Sequence, residues 1–220
     1  MTYCMSDIHG ELDKFEQMLA RIQFSPKDHL YILGDVIDRG PAGVDILRII
    51  MDAPNMTMLM GNHEQMCLST LGPHSELGAR DLWRMNGGMP TYRELRYRRT
   101  AQERREILHF LMDLPDQLTL EVGGQTFCLV HGYPGDDHDT RIWGRVEVDS
   151  RRPFPDAVCI VGHTPTVFLT NRPDEDLSIW HGDGILDIDC GCGNRQAPHR
   201  RLACLRLDDM AEFYVGGTGK

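Results

Sequence analysis

Five segments of the chain each bring a side chain with metal-binding chemistry to the end of an apolar run. They are Asp7-Ile8-His9-Gly10, Gly34-Asp35-Val36-Ile37-Asp38-Arg39-Gly40, Gly61-Asn62-His63-Glu64, His131-Gly132 and Gly162-His163-Thr164-Pro165. Asp7 and His9 are two residues apart. In extended backbone that spacing puts both side chains on one face, where they can grip one ion. Asp35 carries two oxygens and can bridge two cations. Asn62, His131 and His163 offer an amide oxygen and two imidazoles to a second ion, a mixed set suited to Mn, Fe, Zn or Co and poorly suited to a soft thiolate metal. No cysteine falls where a ligand is needed. Asp7-x-His9 alone would more often be turn chemistry than a ligand pair, but five such blocks in one chain point to a two-metal site.

The elements that must position these residues are legible as periodicity. Each block follows a β-rich stretch: Thr2 to Met5, Leu30 to Leu33, Thr57 to Met60, Phe127 to Val130 and Val158 to Val161. In an open α/β sheet the carboxyl ends of the strands share one edge, so distant ligands can converge there. Helical stripes over Glu11 to Ile22 and Val44 to Met51 make the first sixty residues β-α-β-α-β. Glu64 to about Leu114 reads as a helical insert flanking the crevice, with a capping box at Thr100-Ala101-Gln102-Glu103. Gly123-Gly124 predicts a hairpin between Leu118–Val122 and Gln125–Val130. Leu177–His181 and Ile185–Asp189 form a second around Gly182-Asp183-Gly184, and Leu202 to Leu207 reads as a final strand. Two sheets packed face to face with helices outside accommodate this pattern. The expected organisation is one domain over residues 1–215, with the insert at about 65–114 and a flexible tail at 216–220.

Composition sets limits. The 220 residues, a quarter of them charged, are those of an ordinary globule with a sizeable core. No apolar run reaches membrane-spanning length and no signal-peptide pattern precedes the first strand, so a cytoplasmic location without membrane association is expected. Seven cysteines without paired metal-ligand spacing read as reduced, buried residues. A net charge of −10 argues against a nucleic-acid partner. The arginine run Arg93, Arg96, Arg98, Arg99, Arg104 and Arg105 reads first as a solvated helical face paired with Glu94, Glu103 and Glu106. Its functional alternative is a docking surface for acidic substrates. His29, His74, His109, His138 and His199 read as surface or packing residues, and His181 as part of a turn.

Ser6-Asp7-Ile8-His9-Gly10, Gly34-Asp35-Val36-Ile37-Asp38-Arg39-Gly40 and Gly61-Asn62-His63-Glu64 resemble the three signature blocks of the phosphoprotein phosphatase (PPP) family of metallophosphoesterases. Leu129-Val130-His131-Gly132-Tyr133-Pro134 and Val161-Gly162-His163-Thr164-Pro165 are similar to its small bacterial and phage branch, as are Ile188-Asp189-Cys190-Gly191 and Trp83-Arg84-Met85-Asn86-Gly87-Gly88. The last of these has no evident role in the sequence beyond Gly87-Gly88 ending a helix. Ser6 departs from the glycine of many members and is expected to affect only the tightness of the strand-end turn.

The resemblance implies an α/β (α+β) calcineurin-like β-sandwich flanked by helices. It also implies two divalent metals, Mn being the expected activator in vitro, held by Asp7, His9, Asp35, Asn62, His131 and His163. Direct attack on phosphorus by a hydroxide bridging the two ions would follow, without a phosphoenzyme. His63 would protonate the leaving oxygen, held by Asp38. Arg39, and Arg145 in Ile142-Trp143-Gly144-Arg145, resemble the family's phosphate-clamping arginines. The implied function is a serine/threonine protein phosphatase acting on phosphorylated proteins or peptides. The alternatives are a dinucleotide polyphosphate hydrolase such as a diadenosine tetraphosphatase, and a noncatalytic phosphate-binding protein. The complete ligand set disfavours the last. Trp83, Trp143 and Trp180 are scattered, so no aromatic-rich segment stands out as a platform for adenine. The oligomeric state is not readable.

Overall fold

Residues 1–170 and 175–218 are described by the computed structural model. The first half is β1 (Thr2–Met5), α1 (Leu12–Arg21), β2 (His29–Ile32), α2 (Gly43–Asp52) and β3 (Met56–Met58). Helices α3 (Asn62–Leu71), α4 (Ala79–Met85), α5 (Met89–Arg93), a π turn (Glu94–Arg98) and α6 (Ala101–Met112) follow. The second half is β4 (Gln117–Val122), β5 (Gln125–Val130), α7 (His138–Trp143), β6 (Ala157–Val161), β7 (Trp180–His181), β8 (Ile185–Asp187), β9 (Arg201–Arg206) and β10 (Ala211–Gly216).

The strands make two five-stranded sheets, ordered β10-β9-β1-β2-β3 and β4-β5-β6-β8-β7. Strands β1, β2 and β3 are parallel, as are β5, β6 and β8; antiparallel strands close both edges of the second sheet and the β10 edge of the first, whose other edge is the parallel β3. Side chains that alternate along each strand are buried in different layers. Cys4, Phe127, Leu129, Ile160, Ala203 and Leu205 share the core between the sheets. Tyr3, Met5, Leu202 and Cys204 pack beneath the helices on the first sheet's outer face, against Phe15 and Met18 of α1 and Ile46 and Leu47 of α2. Cys128, Val130, Cys159 and Val161 form the third layer, outside the second sheet. This period of two makes a sandwich out of strands that read as continuous apolar runs. Each large side chain fully buried there contributes roughly 1.5–3 kcal/mol.

Three expectations at the carboxyl end need correction. Leu202–Leu207 is not the last strand: β9 turns back through Met210, at φ 60°, into β10, which pairs with it over six residues. The Ala-Glu-Phe-Tyr-Val stretch escaped because it does not alternate cleanly. The tail is not loose from residue 216, since Gly216 pairs with Arg201, Gly217 N–H donates to the Arg200 carbonyl and Thr218 N–H donates to Asp176. Residues 219 and 220 lie outside the described residues. The second hairpin is shorter than expected and His181 belongs to its strand β7, where Nε2 lies 2.6 Å from Glu212. The Thr100 capping box is formed. All seven cysteines are buried and free. Among the described residues no helix is long and apolar enough to cross a membrane.

Candidate metal centre

The site forms where the carboxyl ends of β1, β2, β3, β5 and β6 meet. Beyond the strands the backbone stays knitted: Asp7 N–H donates to Gly34, His9 N–H to Asp35 and Gly10 N–H to the Val36 carbonyl. Six of the site residues lie in left-handed backbone, namely Asp7 (φ 52°), His9 (49°), Asp35 (52°), Asp38 (73°), Arg39 (60°) and His163 (64°). That conformation costs roughly 1–2 kcal/mol for most residues, and Asp and His are among the types that tolerate it. The extended geometry expected for Asp7-x-His9 is therefore wrong. A turn brings the pair together, with His9 Nε2 3.8 Å from Asp7 Oδ1.

Glu64 is what holds the second loop in this shape. Its buried carboxylate accepts from the N–H groups of Asp35 (2.8 Å), Val36 (3.0 Å), Ile37 (3.3 Å) and Gly61 (3.2 Å), tying the β2 loop to the start of α3. Burial pushes the Glu64 carboxyl up to about 7, and losing its four buried hydrogen bonds would release the loop that carries Asp35.

All six predicted ligands are buried and face one another. Asp35 splits its oxygens between two groups of donors. Oδ2 lies 3.6 Å from His9 Nε2 and 3.8 Å from His63 Nε2, and Oδ1 lies 3.4 Å from His131 Nε2. Two three-residue clusters result, His9–Asp35–His63 and Asp35–His131–His163, each able to hold a metal ion. The Asn62 side-chain amide sits 3.1 Å from both His131 Nε2 and His163 Nδ1, its nitrogen turned toward them and toward Asp35. Nδ1 of His9 is satisfied by the Ile37 carbonyl (3.0 Å), which fixes the tautomer that leaves its Nε2 lone pair facing inward. Nδ1 of His131 donates to the Leu33 carbonyl (2.8 Å), and against the lowering effect of burial the charge of Asp35 and its hydrogen bond push this imidazole up to about 9. Burial, with the charge of Arg39 next in weight, lowers the His9 imidazole well below its usual range, and burial pushes His163 down to about 3. Both imidazoles are thus neutral, the form in which histidine binds a metal. Nε2 of His9 and of His163 are buried atoms without a hydrogen-bond partner, an arrangement that two divalent cations fit.

His63 lies at the edge of this group, its Nδ1 2.6 Å from Asp38 Oδ2. Burial lowers its pKa, but the charge of Asp35 and the hydrogen bond and charge of Asp38 outweigh burial and hold it above the ordinary histidine value. Its Nε2 faces Arg39 Nη2 at 3.2 Å. Arg145 is placed beside the second cluster, donating to the His163 carbonyl at 3.3 Å. A cleft of about 440 Å³ opens from Arg39 and is lined by Pro165, Val167, Phe168, Leu177 and Pro198. Phe168 is 73% exposed, an aromatic surface near the site that the sequence reading overlooked. Two members of the arginine run are paired, Arg99 with Glu94 and Asp45 and Arg98 with Glu94, while Glu103 pairs with Arg48 instead.

Two further residues escaped the sequence reading. Ser6 does more than tighten a turn, because its hydroxyl donates to Asp7 Oδ2 at 2.6 Å and so orients a ligand. Gly193 packs against His9 and Arg39, and a Cβ there would sit 2.7 Å from His9 Cγ and 2.9 Å from Arg39 Nη1. A glycine in an unremarkable Gly-Cys-Gly-Asn stretch gives no such signal in sequence. Asp187 and Asp189 are also buried behind the site, and burial pushes both carboxyls well up.

The family model for calcineurin-like phosphoesterases matches residues 2–190, and the chain belongs to that family. Serine/threonine-protein phosphatase 2 of Escherichia coli (strain K12) is 29% identical over 158 residues, 70% of this chain and 66% of that protein. The symmetrical bis(5'-nucleosyl)-tetraphosphatase of Yersinia pestis (strain Pestoides F) is 43% identical over 65 residues, 29% of this chain and only 22% of that protein. The chain thus spans less than two thirds of either relative. A crystal structure of a putative diadenosine tetraphosphatase shares the fold, with a TM-score of 0.62 at 16% identity, covering all of this chain and 94% of the other.

Proposed function

We propose that the protein is a metal-dependent phosphomonoesterase acting on phosphoserine and phosphothreonine in proteins, in the cytoplasm, with Mn as its activator in vitro. The observation that carries this reading is the convergence at one buried edge of two donor clusters sharing Asp35, beside His63 and Arg39. Divalent ions held by Asp7, His9, Asp35, Asn62, His131 and His163 would supply Lewis-acid activation of the phosphoryl group and offset its charge. Arg39 and Arg145 bind the nonbridging oxygens, whose charge grows during transfer. His63 would give a proton from Nε2, the nitrogen that faces Arg39 here, to the leaving oxygen, and Asp38 at Nδ1 favours the charged imidazole that can do so. The similarity to a named serine/threonine phosphatase runs over 158 residues, whereas that to the tetraphosphatase covers 65, which supports the phosphoprotein substrate.

One observation favours the second reading, a dinucleotide polyphosphate hydrolase: the apolar cleft opening from Arg39, with Phe168 exposed on it, offers a surface for a base. Kinetics of the Mn-loaded protein on a phosphoserine peptide and on diadenosine tetraphosphate separate the two. The proposal expects the higher kcat/KM on the peptide. A preference of about tenfold or more for the dinucleotide, or 1.4 kcal/mol of transition-state discrimination, would overturn the substrate assignment.

A further inference from the structure

Asp38 is buried completely, and one of its oxygens carries two hydrogen bonds. Oδ2 accepts from His63 Nδ1 at 2.6 Å and from the indole Nε1–H of Trp83 at 2.5 Å, while Oδ1 is buried without a partner. The carboxylate therefore has no second anchor through its other oxygen. Rotation about the Asp Cβ–Cγ bond is soft and roughly two-fold, so among the described residues the indole is the one side-chain donor besides His63 that fixes which way this carboxylate faces. Trp83 is itself immobile: it is 1% exposed, and Gly88 lies so close beneath the ring that a Cβ there would come within 2.5 Å of Trp83 Cγ.

The same short segment holds the backbone on both sides. Asp38 N–H donates to Thr91 Oγ1 at 2.9 Å, and Arg39 N–H donates to the Gly87 carbonyl at 3.0 Å. Gly87 sits at φ +94°, in contact with the Arg39 side chain. Residues 83–91 thus form a cradle for Asp38 and Arg39, both of which need support because their own φ values are 73° and 60°.

We propose that Trp83 is a positioning residue for proton donation, holding the Asp38 carboxylate so that His63 presents its Nε2 proton to the leaving oxygen. The kinetic half of this proposal rests on the acid role given to His63 above; the structural half does not. A charge-assisted bond in a buried place is worth more than a neutral one on the surface. Removing it leaves Asp38 free to turn and the imidazole free to follow.

The test replaces Trp83 with benzothienylalanine, which keeps the ring's shape over Gly88 but lacks the N–H, alongside the simpler Trp83→Phe. In the zinc-loaded protein the His63 Nδ1–H proton is observed by NMR and assigned by its loss in Asp38→Asn. Its resonance should move in the sulfur isostere although melting temperature and metal content do not change. In the Mn-loaded protein kcat on a phosphoserine peptide should fall about tenfold or more while kcat on p-nitrophenyl phosphate changes little, because a nitrophenolate leaves without a proton. A His63 resonance that stays in place in the isostere overturns the proposal. A moved resonance with equal losses on both esters sustains the Trp83–Asp38–His63 link and overturns instead the acid role of His63.

Discussion

Gly193→Ala tests how tightly the first metal's surroundings are built. A Cβ at this position would lie 2.7 Å from His9 Cγ, and closer still to Cδ2, where ordinary contact begins at 3.4 Å. Relief requires a relative shift of about 0.7 Å or more, set against the roughly 0.2 Å tolerance of metal–ligand distances. The imidazole cannot slide freely, because its Nδ1 is held by the Ile37 carbonyl at 3.0 Å and its ring packs edge-on against His63 with centroids 4.7 Å apart. The second neighbour is Arg39, with Nη1 2.9 Å from the new Cβ, so the proposed phosphate clamp would be displaced together with His9. A misplacement near 1 Å commonly costs about 10²-fold in rate, or about 2.7 kcal/mol in the barrier. We expect Gly193→Ala to retain its fold by circular dichroism, to lose occupancy of one ion by mass spectrometry after dialysis against limiting Mn, and to lose about 10²-fold in kcat. Wild-type metal content together with wild-type kcat would refute the argument, since it would mean that His9 either moves without consequence or is not a ligand.

Three other outcomes follow from the same geometry. His63→Asn should keep its metals and lose about 10²–10⁴-fold in kcat on a phosphoserine peptide but far less on an aryl phosphate; equal losses would leave His63 a phosphate-binding donor only. Ser6→Ala removes the bond to Asp7 Oδ2 and should weaken metal binding about 10- to 100-fold by titration, and unchanged affinity would return Ser6 to a turn residue. Asp38 bonds His63 Nδ1 and favours its charged form, so activity that needs the protonated imidazole should be lost as pH rises through the His63 pKa. Asp38→Asn removes one of the raising partners and should shift this alkaline limb to lower pH, and a limb that stays in place would assign it to another group.

The convergence of the six candidate ligands was legible because their flanking strands suffice: Asp7, His9, Asp35, Asn62, His131 and His163 each follow a strand that the structure contains, and parallel strands end at one edge. The hairpin at Gly123-Gly124 and the Thr100 capping box are local chemistry and were equally legible. What was hidden depends on tertiary contacts. The left-handed backbone at Asp35 is held by Glu64, 29 positions away, and that at Asp38 and Arg39 by Thr91 and Gly87, so no local pattern announces it. The same holds for Trp83, which meets Asp38 across 45 residues, and for Gly193, whose neighbours His9 and Arg39 lie at the other end of the chain. Strand β10 is paired along one side only, and half-buried edge strands carry weak alternation.

Anomalous diffraction at the Mn edge from crystals grown with Mn addresses the central claim most directly. The account predicts two peaks, one on each side of the Asp35 carboxylate and about 3.5–4 Å apart, the first beside Asp7 and His9 and the second beside Asn62, His131 and His163. A single peak, or two peaks that do not share Asp35, would contradict it.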